Sequence, residues 1–357
     1  MNAPIGDLFS GPALVRRGII LFIGMLSLYY FAPDILELIN SAPELVSINR
    51  RWFFLMILFE LVSFAFLWWL TRIVLPQVSW FVAATSQLAS NAASRVIPGG
   101  AAVGGAVLYR MLSVSGTSSG QAGAALAATG GLSTTALAAF PAAGFALAVA
   151  GAPIPESLLP AVLAGGVLFP LLLAVGVIAV RTTRPLLRLG LTISKVVAWT
   201  GRLVRRPWQF DPRKLVRERD SMVVAMGDRW PLAMVAAALN WVFDYLVLVT
   251  ALVAVGADPR LSLVLLAYTG GALLAMIPVT PGGFGFVETG MTYLLVLSGI
   301  TKGDALLATL AYRIVSLWLP IMAGSVAWLI FQRRYGNATE DSSEQPQPSG
   351  EPAPQDS

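Results

Sequence analysis

The sequence predicts an all-α polytopic membrane protein, and three observations carry that prediction. Hydrophobic residues make up 56% of the chain and charged residues only 12%. Apolar runs of the roughly 20 residues needed to cross a bilayer recur from about 18 to 331. Between them lie two blocks, 77–116 and 261–300, whose Pro and Gly forbid continuous helix. The expected architecture is about six full spans plus two re-entrant hairpins, arranged as an inverted repeat.

The elements follow in order along the chain. The first run, about 18–38, lacks a small-residue cleavage site and is followed by further spans, so it reads as an anchor. Arg16 and Arg17 precede it and place the N-terminus in the cytoplasm. The acidic loop "APDILELINSAPELVSIN" (32–49) is then external, and a second span, about 52–75, returns inward. Spans follow at about 118–150 and 155–180. Half of the 24 Lys and Arg fall in 181–229, against four acids, so this connector is cytoplasmic. Its segment "RPLLRLGLTISKVVAWTGRLV" reads either as an amphipathic helix on anionic headgroups or as a solvated linker. The last spans are about 230–255 and 303–331, ending inside at "QRRYG". Residues 1–335 thus form the membrane domain of a plasma-membrane protein, and 336–357, rich in Pro, Ser and Glu, form a disordered cytoplasmic tail.

The chain has no Cys and no His, which excludes disulfides, thiolate nucleophiles, His relays and His or Cys metal sites. No cofactor is expected. The net charge of +5 reports topology, not nucleic-acid binding. Oligomeric state is not written in the sequence.

The two interrupted blocks share a register. Aligning Pro98 with Pro281 gives an offset of 281 − 98 = 183. At that offset Gly99, Gly100, Leu112, Ser115, Gly116 and Gly120 meet Gly282, Gly283, Leu295, Ser298, Gly299 and Gly303. The repeat units are then 52–150 and 230–331, each of span, hairpin and span, entered from opposite sides. Inverted units with Gly/Pro breaks at matching positions are the pattern of secondary transporters. Full crossings joined by surface loops would keep the same topology. The polarity of "SWFVAATSQLASNAASRVI" favours the re-entrant form, because this arm is too polar to face lipid.

Five ionisable groups fall at membrane depth: Glu60, Arg95, Asp244, Glu288 and Arg313. Each costs about 2.5–3.5 kcal/mol on insertion scales and is a functional hypothesis by default. In one reading they form internal ion pairs, such as Arg95–Glu288 or Arg313–Asp244, that only lock the bundle. In the other, the arginines receive an anionic headgroup in a fork of hydrogen bonds, while carboxylates relay protons or counter a cationic group. Free amides at the breaks would add anion affinity.

The segments "SNAASRVIPGGAAVGGAVLYRMLSVSG", "IPVTPGGFGFVE" and "AYRIVSLWLP" resemble the flippase-like transmembrane domain of lysylphosphatidylglycerol synthases, over roughly 15–331. Asn91, Arg95, Pro98, Gly99 and Gly100 match its first motif. Pro278, Pro281, Gly282, Gly283, Gly285 and Glu288 match the second, and Tyr312 and Arg313 the third. Ala101 and Ala102 stand where glycines commonly follow the first turn. The aminoacyl-transfer domain of the full synthases has no counterpart in this sequence. The resemblance therefore implies translocation, between leaflets, of a lipid with an anionic headgroup: a phospholipid or a polyprenyl-phosphate-linked lipid. The candidate substrate-binding residues are Asn91, Arg95, Glu288, Arg313, Asp244 and Glu60, and no catalytic role is expected. Two rivals stay open. A glycosyl- or phosphotransferase would need clustered carboxylates, whereas the connector offers only Asp211, Glu218, Asp220 and Asp228 among many arginines. A small-solute secondary transporter would use the same inverted plan.

Overall fold

The computed structural model describes residues 49–97, 100–149, 227–276 and 281–335, with isolated positions between 163 and 220. The expected spans at 18–38 and 155–180, most of the connector and the tail lie outside these residues. The described residues are helical with no strand, and they form the bundle of an all-α polytopic membrane protein.

Helix α1 (Arg50–Val74) is N-capped by Asn49, whose side chain accepts from the Arg51 amide at 3.0 Å. Helix α2 (Trp80–Val96) starts on the Ser79 hydroxyl and ends at Ile97, just before Pro98, where the next ring disfavours helical backbone. Helix α3 (Ala101–Val114) returns, and α4 (Ser119–Val149) follows. The second set repeats this order with α5 (Trp230–Ala254), α6 (Leu261–Met276), α7 (Phe286–Leu297) and α8 (Lys302–Arg313). From α8 a π-helical segment, Ile314–Trp318, leads into α9 (Leu319–Tyr335). Four stretches are long and apolar enough to cross a membrane: Arg50–Val74, Ser119–Ala143, Gly227–Ala254 and Lys302–Tyr335. They coincide with four of the six spans read from the sequence.

Helices α3 and α7 end in the same cap at the offset of 183. Gly116 (φ 96°) and Gly299 (φ 92°) take the left-handed conformation that favours glycine. Gly116 N–H donates to Ser113 O and Thr117 N–H to Leu112 O. Gly299 N–H and Ile300 N–H donate to Val296 O and Leu295 O in the same pattern. This is the Schellman arrangement that satisfies terminal carbonyls. At this one pair, glycines that share the register also share backbone geometry.

Packing fixes direction. Ser63 Oγ donates to Asn240 O at 2.9 Å, and the Asn240 amide returns a bond to Ser63 O at 3.0 Å. Glu60 and Asp244, about one turn away from this contact on each helix, line one cavity. The rising number on one helix against the falling number on the other makes α1 and α5 antiparallel. Helix α2 packs against α9 at their small residues. A Cβ on Gly324 would lie 2.2 Å from Leu88 O and 2.6 Å from Ala92 Cβ, so only glycine permits this approach.

A candidate headgroup site at mid-depth

Glu60 and Asp244 set the level of the site. Glu60 stands about 15 Å from the Arg50 end of α1, and Asp244 about 15 Å from the Ala254 end of α5, at 1.5 Å per residue. Both ends are level because the helices are antiparallel. Helix α2 runs down α1, held where Gln87 Nε2 donates to Thr71 Oγ1 at 2.8 Å, until its last turn brings Arg95 to the same level. The polarity of α2 is thereby accounted for. Thr85, Ser86 and Gln87 are buried against protein.

Arg95 Nη1 donates to the backbone carbonyl of Ser316. That carbonyl is available for a reason written in the sequence. In a regular helix it would accept from residue 320, which is proline and has no N–H. The π turn over Ile314–Trp318 displaces the ladder at this point, as such turns do at functional sites. Arg95 is thus held by a neutral acceptor, with Glu60 and Asp244 close enough to attract it.

Arg313 is held more fully. Its Nε donates to Glu288 Oε1 at 2.5 Å, its Nη2 donates to Gly282 O at 2.7 Å, and its guanidinium sits 5.5 Å from the centre of the Phe284 ring. Glu288 is in the first turn of α7, where the helix dipole favours a carboxylate. The ion pair therefore joins α8 to the start of α7 and clamps the second turn. The pairings offered from the sequence, Arg95–Glu288 and Arg313–Asp244, are both replaced. Glu288 takes Arg313, and Asp244 Oδ2 accepts from Tyr312 OH at 2.9 Å and from Tyr268 OH.

The second hairpin turn meets the end of α2. In the turn Pro281–Gly283, Gly282 (φ 64°) lies so close to α2 that a Cβ there would stand 3.0 Å from Arg95 O. Gly100, Gly283 and Gly285 have φ of 52°, 69° and 73°, which turn the chain into α3 and α7. Pro98 and Gly99 lie outside the described residues.

Around these groups is a cavity of about 1450 Å³. Glu60, Asn91, Arg95, Asp244, Tyr312 and Arg313 belong to its polar lining, together with several Ser, Thr, Asn and Gln side chains. Ile97, Met276 and Phe286, which flank the turns and are exposed, supply apolar wall. Of the six candidate binding residues, five line this one cavity, and Glu288 stands behind Arg313. Sequence reasoning did not single out Tyr268 or the Ser316 carbonyl. Tyr268 sits in an apolar run and looked like an ordinary span aromatic, whereas Pro320 four residues after Ser316 was the signal for the free carbonyl.

Fold and site together define a multi-pass helical membrane protein with a buried charged cluster where the end of α2 meets the turn Pro281–Gly283. The chain belongs to the family described as the lysylphosphatidylglycerol synthase TM region, whose model matches residues 18–324. It is similar to a UPF0104 membrane protein of Methanothermobacter thermautotrophicus, 28% identical over 94 residues, which is 26% of this chain and 27% of that protein. A UPF0104 membrane protein of Methanocaldococcus jannaschii is 34% identical over 62 residues, 17% of this chain and 26% of the relative. One of Pyrococcus horikoshii is 35% identical over 63 residues, 18% of this chain and 19% of the relative. The matched stretch thus spans about a quarter or less of each relative's length.

Proposed function

We propose that the protein moves a lipid with an anionic headgroup between the leaflets of the cell membrane, with Arg95 as the headgroup receptor. The observation that carries this reading is the holding of Arg95. Its guanidinium faces a large cavity and is bonded to a neutral carbonyl, which a phosphate oxygen can replace with a stronger, charge-assisted bond. Arg313 is committed to a carboxylate and serves as scaffold.

The shape of the cavity favours an amphiphile. Small-molecule sites are commonly about 300–1,000 Å³, whereas this one is about 1450 Å³ and joins a charged cluster to exposed apolar residues beside the turns. A headgroup at Arg95 would leave its tails along Ile97, Met276 and Phe286. In this reading α2–α3 and α6–α7 are re-entrant hairpins of an inverted repeat. The end of α2 at Arg95 and the turn Pro281–Gly283 would then lie level with the middle of α1 and α5, which suits broken elements of such a repeat.

The test is copurified lipid. Mass spectrometry of the purified protein is expected to find an anionic phospholipid or polyprenyl phosphate enriched over the host membrane, and Arg95→Ala to lose most of it. Equal lipid profiles in wild type and variant, at equal folded yield, refute the reading.

A further inference from the structure

The cluster around Glu60 holds more carboxyl than guanidinium. Arg95 and Arg313 bring two positive charges; Glu60, Asp244 and Glu288 bring three acidic groups. Glu60 is only 2% exposed and Glu288 8%, so an uncompensated charge here is costly. No N–H or O–H of the described residues donates to Glu60 Oε2, which is buried. Its side chain lines the same cavity as the Asp244 carboxyl, at the same level of the antiparallel α1–α5 pair. Two carboxylates have only acceptors between them, so a bond joining them would require a proton on one. The remaining groups facing the pair are Arg95 from α2, Tyr268 from α6 and Tyr312 from α8, and both phenols are already spent as donors to Asp244 Oδ2. A single proton between Glu60 and Asp244 satisfies the orphan oxygen and brings the cluster to neutrality at once.

We propose that the Glu60–Asp244 pair is a proton-binding site whose occupancy is coupled to the anion on Arg95. The coupling rests on the headgroup reading given above. With Arg95 on the Ser316 carbonyl, one proton balances the cluster. When a monoanionic phosphate arrives on Arg95, it adds one negative charge, and uptake of one further proton by the pair, from water in the cavity, restores the balance. Release of the headgroup returns that proton to water. Only O–H bonds change: one forms on the carboxyl as one in hydronium of the cavity water breaks, and release reverses both. By linkage, protonation and anion binding then favour one another, so a proton gradient can drive the lipid.

Two measurements test this, one of them independent of any substrate. Infrared difference spectra of the purified protein through a pH titration are expected to contain the C=O stretch of a protonated carboxyl, lost in both Glu60→Gln and Asp244→Asn. Absence of the band in wild type, its persistence in both variants, or its replacement by a sodium-dependent change overturns the proposal. In the second, protein is reconstituted into phosphatidylcholine vesicles containing fluorescent phosphatidylglycerol, and leaflet redistribution is followed with and without an imposed pH gradient. Wild type is expected to redistribute the label with the gradient, and Glu60→Gln to lose the gradient dependence. Label that moves in wild type but ignores the gradient sinks the coupling and leaves the translocator standing. A carboxyl band without any movement of label sinks translocation of this lipid and the coupling to it, while the proton site stands. Asp244→Asn guards against a folding failure of one variant.

Discussion

Breaking the Arg313–Glu288 pair yields an asymmetric, coupled loss of stability. Consider Arg313→Gln, Glu288→Gln and the double variant. Both residues are only 8% exposed, and among the described residues Glu288 Oε2 has no hydrogen-bond donor, so apart from the helix dipole the carboxylate's compensation comes from Arg313 at 2.5 Å. Removing Arg313 leaves that charge alone, a loss of about 3–5 kcal/mol by analogy with other buried pairs. It also removes the bond to Gly282 O and the contact with the Phe284 face. Removing the charge of Glu288 instead leaves Arg313 with both of those contacts, so its cost belongs at the low end, about 3 kcal/mol. The double variant leaves no lone charge, and its loss is expected to be about 2–3 kcal/mol smaller than the sum of the singles.

Unfolding in mixed micelles of a mild detergent and dodecyl sulfate, followed by tryptophan fluorescence and circular dichroism, gives all three values on one scale. Two results would refute the reasoning. One is additivity within about 0.5 kcal/mol, which would mean that the residues do not interact. The other is a Glu288→Gln loss larger than that of Arg313→Gln, which would mean that the arginine and not the carboxylate is the stranded partner.

Three further outcomes are expected. Gly324→Ala should cost about 1–3 kcal/mol in the same unfolding assay, because its methyl has no room beside the Leu88 carbonyl. Gly130→Ala, where nothing lies within 4 Å, should stay within about 0.5 kcal/mol of wild type, and equal losses at both sites would be the contrary result. Arg95→Lys should fold like wild type but translocate fluorescent phosphatidylglycerol at least about tenfold more slowly, since an ammonium offers a point charge in place of a fork; an undiminished rate in vesicles removes Arg95 from the headgroup role. Because the native chain has no Cys, cysteines at Ala101 and Phe284, both lining the cavity, should be bridged by a short bifunctional maleimide. Free labelling of both from bulk water without bridging would mean that the two turns are separate surface loops.

Depth was legible in the sequence, and direction around the helix axis was not. Hydropathy located α1, α4, α5 and the α8–α9 run because lipid imposes length and polarity on any span. The two PGG turns were legible because Pro and Gly cannot continue a buried ladder. Gly116 and Gly299, which share that register, end α3 and α7 in the same cap, a detail the sequence reading did not name. The five charges were legible as costly, but their partners were not. Whether Arg313 meets Glu288 or Asp244 depends on how α7 folds back against α8 and on which face α8 turns to α5. Local spacing contains neither quantity. Tyr268 was hidden for the same reason: only the packing of α6 against α5 turns its hydroxyl into a donor to Asp244.

The offset of 183 also separates what the two units share from what they do not. Under the repeat we propose, backbone features recur: Gly100 answers Gly283, and the cap at Ser115 answers the cap at Ser298. The charges do not. Arg95 corresponds to Pro278, Glu288 to Gly105, Arg313 to Gly130, Glu60 to Phe243 and Asp244 to Leu61. A translocator with two duplicated sites would keep its chemistry in both units. Here unit one contributes Glu60 and Arg95, unit two contributes Asp244, Glu288, Tyr312 and Arg313, and all converge on the place where the tips meet. The arrangement suits one headgroup site served from either side by two backbones of similar shape. Under the proposed reading, hairpins of similar backbone would exchange conformations at little difference in energy, carrying Arg95 and Glu288 with them while Glu60, Asp244, Tyr312 and Arg313 stay on the surrounding helices. Duplicating the charges would double the cost of burying them without adding a second route.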